Sequence, residues 1–296
     1  MILVVGATGL LGSEICRRLR ERGRDVRALV RATSPRAPAL RALGAEIAIG
    51  DLRNRGSLVA ACRDVEAVIS TATAMGSKDR SLSLNEIDRK GQLRLVDVAR
   101  QSGVRTFVYL SLSPNLGPGA ALVRYKREVE RAVRLSGMRW TIIQPTAYME
   151  VWLGPQLGWN HVAGRAIVFG SGKHPVPWIS VGDVAEHAVR ALDDPRLANV
   201  DLPLGGPQML TPHEVVQIFA QESGRRYSTR HIPRILPSVF TPLVELFHEG
   251  IASGMSMGAQ TSRGDPIDSP LQRELELPLT TVREYAARIV RPGNSP

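Results

Sequence analysis

The sequence predicts an α/β fold, a doubly wound parallel sheet followed by a smaller C-terminal α+β lobe. Three observations predict it. Short β-branched runs alternate with amphipathic helical stretches over residues 1–150, an order that implies right-handed crossovers. The runs are nearly all apolar, as strands covered on both faces need to be. Beyond residue 150, prolines and glycines become frequent and helical stretches shorten.

The elements follow in order. Strands are expected at Ile2–Val5, Val26–Val30, Glu46–Ile49, Ala67–Ser70, Thr106–Leu110 and Thr141–Ile143. Leu11 to Arg22 reads as a helix with Ile15 and Leu19 on one face and arginines on the other. Leu84 to Ser102 groups Leu93, Val96 and Ala99 and stops at Gly103, a good C-cap. Ala120 to Leu135 stops in the same way at Ser136-Gly137. Val181 to Leu192 is a further helix, with Asp183 as a candidate cap. Thr211-Pro212-His213-Glu214 is a helix start, with Thr as N-cap, Pro in the first turn and Glu three residues on. Phe247 to Pro270 is rich in Gly, Ser and Met without a steady period, so a mobile loop is expected near 247–270. The division expected is a nucleotide-binding domain over 1–150 and a substrate lobe over 151–296, interleaved with the sheet.

Composition narrows the function classes. The formal net charge is +10, but only Lys78, Lys90, Lys126 and Lys173 are lysines, so arginine supplies almost all of it. These arginines are spread along helices with few interleaved aromatics, which argues against a nucleic-acid footprint and suits an anionic cofactor. No run of about 18 apolar residues is present, so no membrane span is expected. Met1 to Val5 leads straight into Gly6 without a secretory signal, which makes the cytoplasm the expected compartment. Cys16 and Cys62 read as two buried thiols. His161, His174 and His187 lack metal spacing, and no metal is expected.

The motif that carries chemistry is Gly6-Ala7-Thr8-Gly9-Leu10-Leu11-Gly12, between the first strand and the first helix. A pyrophosphate needs close backbone approach and the unpaired N–H groups of a helix start, and this turn offers both. The spacing is GxxGxxG; its strand–turn–helix context is what makes it a dinucleotide site of the Rossmann type. The second strand ends Leu29-Val30-Arg31-Ala32-Thr33-Ser34 with no acid to take a ribose 2′-hydroxyl. Arg31, helped by Ser34, can instead pair with a 2′-phosphate, which points to NADP(H).

Together with Gly50-Asp51-Leu52, Asp88-Arg89-Lys90-Gly91, Ile142-Ile143-Gln144-Pro145, Ser180 to Ala185 and Leu204 to Glu214, this turn resembles the atypical short-chain dehydrogenases. The nearest branch is NmrA-like, with the isoflavone-reductase and triphenylmethane-reductase-like enzymes. The resemblance covers residues 1 to about 225. It implies that Asp51 and Leu52 lie near the adenine. Ser70, Thr71, Ala72 and Pro145 would line the cofactor cleft, and Lys126 would reach the nicotinamide ribose or handle a proton. Ser111 would be the catalytic serine at the end of the fifth strand, or simply a turn residue. Ser113, Tyr148 and Met149 would shape the substrate pocket.

The resemblance also shows a departure. Standard members carry YxxxK, and four residues before Lys126 stands Leu122. Tyr125 is adjacent to Lys126, and neighbouring helical residues point about 100° apart, so it is a poor substitute. Two functions follow. One is an NADPH-dependent reductase of a small apolar or aromatic carbonyl or enone, acting as monomer or homodimer. The other is a non-catalytic NADP(H)-binding regulator or assembly factor. The retained Lys126 favours the first and Leu122 the second. Trp152, Trp159 and Trp178 are expected to pack the C-terminal lobe rather than line a pocket.

Overall fold

The computed structural model describes the chain except residues 78, 80, 234–240, 242, 246 and 291–296. Its central sheet has seven strands in the order β3-β2-β1-β4-β5-β6-β9. They are β1 (Ile2–Val5), β2 (Val26–Val30), β3 (Glu46–Ile49), β4 (Ala67–Ser70), β5 (Thr106–Leu110), β6 (Arg139–Pro145) and β9 (Val200–Leu204). The pairs from β3 through β6 are parallel. Strand order reverses between β1 and β4, the crevice in which such sheets bind ligands at the strands' carboxyl ends.

Helices α1 (Leu10–Glu21), α2 (Ala37–Ala42), α3 (Arg55–Ala61), α4 (Gln92–Gln101) and α5 (Ala121–Arg134) connect these strands. In α1 the buried Gly12, Ile15, Cys16 and Leu19 fall on one face at helical spacing. The helix expected over Leu84 to Ser102 is divided: Asn85–Gly91 is a π-helical turn, and α4 continues from it. The seventh strand went unrecognised in the sequence because Val200-Asp201-Leu202-Pro203-Leu204 alternates exposure at a sheet edge and contains a proline, which cannot donate to a ladder.

The chain forms two compact units. The first comprises Met1–Leu112, Ala121–Gln144 and Val184–Leu202, so it takes back a stretch of chain beyond residue 150. Ile2, Leu3, Phe107, Tyr109 and Ile142 are among its fully buried large side chains, each apolar one contributing roughly 1.5–3 kcal/mol by leaving water. The second comprises Ser113–Ala120, Pro145–Asp183 and Pro203–Pro296. It carries α6 (Met149–Trp152), β7 (Arg165–Phe169), β8 (Val176–Pro177), α7 (Val181–Arg190, whose later residues belong to the first unit), β10 (Met209–Leu210) and α8 (Pro212–Ser223). It continues with β11 (Ser228–Ile232), α9 (Glu249–Thr261), α10 (Pro270–Glu274) and α11 (Val282–Val290). Its core packs Trp159, Trp178, Phe219 and Tyr285, with Trp152 against it, and the three tryptophans also line a small cavity of about 30 Å³. The α8 start has the expected capping box between Thr211 and Glu214.

Two expectations are corrected. Asp183 is not the N-cap of α7: its N–H donates to Ser180 Oγ at 3.0 Å, and its carboxylate accepts from Thr280 instead. The stretch near 247–270 is not a loop throughout, because α9 occupies Glu249–Thr261. Its buried face is Ala252, Ser253, Ser256 and Ala259, a helical period written in small residues rather than bulky apolar ones.

Candidate functional site

The glycine turn is built by close packing. Gly6 follows β1 with φ +84°, and a Cβ there would lie 2.6 Å from Thr71 Oγ1 and 2.7 Å from the Ala72 nitrogen. A Cβ on Gly12 would lie 2.2 Å from the Gly6 carbonyl oxygen. Both glycines therefore let β1, α1 and the end of β4 approach one another. Gly9 is the N-cap of α1, and its N–H donates to the Gly6 carbonyl at 2.9 Å. No side chain caps α1, whereas Asn54 caps α3, Thr211 caps α8 and Ser269 caps α10. The first-turn amides of α1 thus keep their donors and the positive end of the helix dipole for another acceptor. They stand at the switch point, beside half-buried Thr8 and exposed Leu10. Leu11 is half-buried next to them. A pyrophosphate fits this turn.

The ends of the neighbouring strands supply the walls. Thr71 donates from N and Oγ1 to the Val5 carbonyl, at 2.9 and 3.2 Å. Gln92 bridges the end of β4, accepting from Ser70 Oγ at 2.8 Å and donating to the Ala72 carbonyl at 3.0 Å. Asp88 accepts from the Ala74 N–H at 2.8 Å. Asp88 opens the Asp88-Arg89-Lys90-Gly91 match but was given no role in the sequence, and Gln92 was not singled out, although their i,i+4 spacing puts two polar residues on one helix face. The π-helical turn between them brings Gly91 so near Leu52 that an added Cβ would lie 2.8 Å from the Leu52 Cβ.

The adenine-side residues are more heavily paired than expected. The Ser34 N–H donates to the Arg31 carbonyl at 2.9 Å, which turns Ser34 back beside Arg31. Arg31 is half-exposed and meets Asp79 Oδ2 at 3.4 Å. Asp51 is held by the fork of Arg53, at 3.0 and 2.8 Å, and this guanidinium keeps its carboxyl below the usual range. Leu52 is buried and its carbonyl accepts from Arg94 at 2.6 Å. Arg36, also missed in the sequence, donates to the Thr8 carbonyl at 2.8 Å.

Lys126 is buried on α5. Its Nζ donates to the Leu110 carbonyl at 2.8 Å and lies 4.9 Å from the centre of the Tyr109 ring. Burial pushes the ammonium below the usual lysine range, opposed by the Asp88 and Glu130 carboxylates. Glu130, one turn along, is buried and accepts from Ser111 Oγ and Arg127 at 2.5 Å each and from Gln144 at 3.1 Å. Burial alone would raise its pKa; the Ser111 hydroxyl and Arg127 guanidinium outweigh that and hold it below the usual range. Leu122 is buried, and Tyr125 has the Arg89 guanidinium 5.9 Å from its ring centre.

Ser111 thus sits close to Lys126 in the first unit, but its hydroxyl proton is directed into Glu130. Pro145 ends β6 and is buried. Ser113, in the second unit, donates to Asp265 at 2.6 Å, and Asn115 does so at 2.8 Å. Tyr148 is half-buried, while Met149 is wholly enclosed in the hydrophobic core, which places it away from solvent. An open cleft of about 350 Å³ in this unit is lined by Gly117, Gly119, Ser256, Gln260 and Arg263. His161 stacks on Phe219 at 4.6 Å and bonds the Leu153 carbonyl, a packing role. Among the described residues, no group of His, Cys, Asp and Glu is arranged to hold a metal ion. No described helix is long and apolar enough to cross a membrane.

The model of the NmrA-like family matches residues 1–286. The chain belongs to the NmrA-like family. It is 33% identical over 231 residues to an NAD(P)H azoreductase of Xenophilus azovorans, covering 76% of this chain and 74% of that one. It is 28% identical over 234 residues to the photosystem II assembly factor Ycf39 of Synechocystis, covering 78% and 70%. Among solved structures, an NADPH complex of a quinone oxidoreductase from Escherichia coli matches with a TM-score of 0.78 at 20% identity, over 98% of this chain and 100% of that one. The NADP(H) complex of Citrobacter sp. triphenylmethane reductase matches with a TM-score of 0.77 at 21% identity, over 98% and 100%. These likenesses show the fold expected of the family member.

Proposed function

We propose that this NmrA-like chain is an NADPH-dependent reductase of a small apolar or aromatic carbonyl- or enone-type substrate. The observation that carries the reading is Lys126, a buried amine with a depressed pKa whose Nζ donates to the carbonyl of Leu110, the last residue of β5 before Ser111. The amides of the Gly6, Thr8, Gly9, Leu10, Leu11 and Gly12 turn hold the pyrophosphate, and Arg31 with Ser34 holds the 2′-phosphate. Asp51 and Leu52 border the adenine; Thr71, Ala72 and Pro145 border the rest of the dinucleotide. When bound, NADPH supplies the hydride. Lys126 handles the proton in this reading, because a lysine amine, whose pKa burial lowers here, can give and take one where an arginine would not. Glu130 orients Ser111 and removes it as a free donor, so Ser111 is a positioning residue in this reading. Ser113 and Tyr148, both in the second unit, are the proposed substrate residues.

The azoreductase, quinone oxidoreductase and triphenylmethane reductase likenesses support a reductase. Leu122, where a proton-donating tyrosine would stand, favours a second reading, a dinucleotide-binding regulator or assembly factor. The similarity to a photosystem II assembly factor supports that alternative. The test is NADPH oxidation by the purified chain against quinones, azo dyes, enones and aromatic carbonyls. Turnover on one class, lost in Lys126→Ala while NADPH binding persists, supports the reductase. Binding without turnover on any class supports the regulator.

A further inference from the structure

Beyond Arg31, the adenosine end of the proposed site holds Asp51, as expected, and also Arg53 and Asp79, which the sequence reading did not foresee. Arg31 follows β2, Asp51 and Arg53 follow β3, and Asp79 follows β4. Arg53 occupies Asp51 with both arms of its fork. Asp79 is divided between two neighbours. Its Oδ1 accepts from the Ser81 N–H at 3.0 Å and the Ser81 hydroxyl at 2.7 Å, and its Oδ2 faces Arg31 at 3.4 Å. A carboxylate therefore stands at the one cation assigned to the 2′-phosphate, supplied from a position 48 residues away in sequence.

We infer that Asp79 is a specificity-determining residue that narrows the choice between NADPH and NADH, by competing with a 2′-phosphate for Arg31 and by accepting a ribose 2′-hydroxyl. This rests on the reading that the glycine turn binds a dinucleotide. A phosphate monoester carries about −1.5 to −2 charges at pH 7, so placing it at Arg31 sets two anions on one guanidinium. A neutral 2′-hydroxyl meets no such repulsion and can donate to the carboxylate, the role an acid at the end of the second strand plays in NAD sites. Here the acid arrives from the segment after β4 instead. Arg31 and Asp79 are both about half exposed, so water weakens the competition to a several-fold bias rather than an exclusion.

The test is titration of the full-length chain with NADPH and NADH at about 0.15 M salt, wild type beside Asp79→Asn and Ser81→Ala. Asp79→Asn should tighten NADPH by about three- to ten-fold and weaken NADH by a similar factor, so that the ratio of the two Kd values rises about ten-fold or more. Ser81→Ala, which frees Asp79 Oδ1 to face Arg31 or a 2′-hydroxyl, should move the ratio the opposite way and by less. An unchanged ratio in Asp79→Asn, or one that moves toward NADH, overturns the inference while leaving dinucleotide binding intact. A wild-type chain that binds neither dinucleotide overturns the underlying reading as well.

Discussion

Replacing Gly12 with alanine tests how the turn is built. The new Cβ would stand 2.2 Å from the Gly6 oxygen, 2.7 Å from the Gly6 carbonyl carbon and 2.9 Å from the Ala7 Cα. Comfortable contact between carbon atoms begins near about 3.5 Å, so α1 must back away from the turn by about an ångström. All three obstructing atoms are backbone, so no side chain can rotate clear. Overpacking of this kind costs about 1–3 kcal/mol and sometimes more; the severity here places it near about 3. Alanine's better helix propensity returns about 1 kcal/mol, leaving a net loss of about 2. For a chain of this size that lowers Tm by roughly 4–8 °C, measurable by circular dichroism melting. Gly9→Ala is the control. Gly9 has φ −77°, which alanine adopts freely, and a Cβ there meets only the Gly6 oxygen, at 3.2 Å. Its stability cost should stay under about 1 kcal/mol, the loss of glycine as an N-cap. A Gly12→Ala protein as stable as wild type, or less damaged than Gly9→Ala, would refute the packing argument.

Three further outcomes follow from the same geometry. Glu130→Gln removes a buried charge that faces Arg127 and collects the Ser111 and Gln144 donors, and should cost about 3 kcal/mol in urea unfolding; a loss below about 1 kcal/mol would show that the cluster is not tightly paired. Burial holds Cys16 up at about 12 and Cys62 at about 11, so neither thiol should react with an aromatic disulfide reagent at pH 8 in the native chain, and both should react in denaturant. Asp194 is held well below the usual carboxylate range by Arg196, with Arg190 adding to it. A depressed folded pKa gives stability that is present above the unfolded value of about 3.9 and lost as pH falls toward the folded one. The stability gap between wild type and Asp194→Asn should therefore be full at pH 7 and shrink below about pH 4; a gap that grows on acidification contradicts the pairing.

Much of this was legible in the sequence because it depends on neighbours along the chain. Strands β1 to β5 were read to the residue, and the Thr211 cap was visible in four letters. What escaped depends on partners far away or on small side chains. The buried face of α9 is made of Ala and Ser, which hydrophobic periodicity weighs lightly. The edge strand β9 forms because β6 is there to pair with it. Arg31 was found as a cation, yet Asp79 was invisible as its neighbour at a separation of 48 residues. Ser111 was found at the right strand end, but the direction of its hydroxyl is set by Glu130, 19 residues on.

The place of Asp88 bears on why the buried residue on α5 is a lysine, Lys126, in a chain so rich in arginine. A guanidinium in the Lys126 position would remain charged whatever its surroundings, and burying it would demand permanent neutralisation. An amine can shed its proton, and its burial by α5 and Tyr109 favours that shift. Asp88 resists it electrostatically, and the same carboxylate fixes the Ala74 amide after β4. The wall of the proposed nucleotide cleft and the charge of the buried amine are therefore tied to one side chain within one unit. A displacement of the segment after β4 would alter the position of Asp88 and, with it, the balance between charged and neutral Lys126. On the proposed reading of Lys126 as the proton-handling group, this coupling ties the charge of that amine to the segment after β4, with Leu122 rather than a phenol four residues before it.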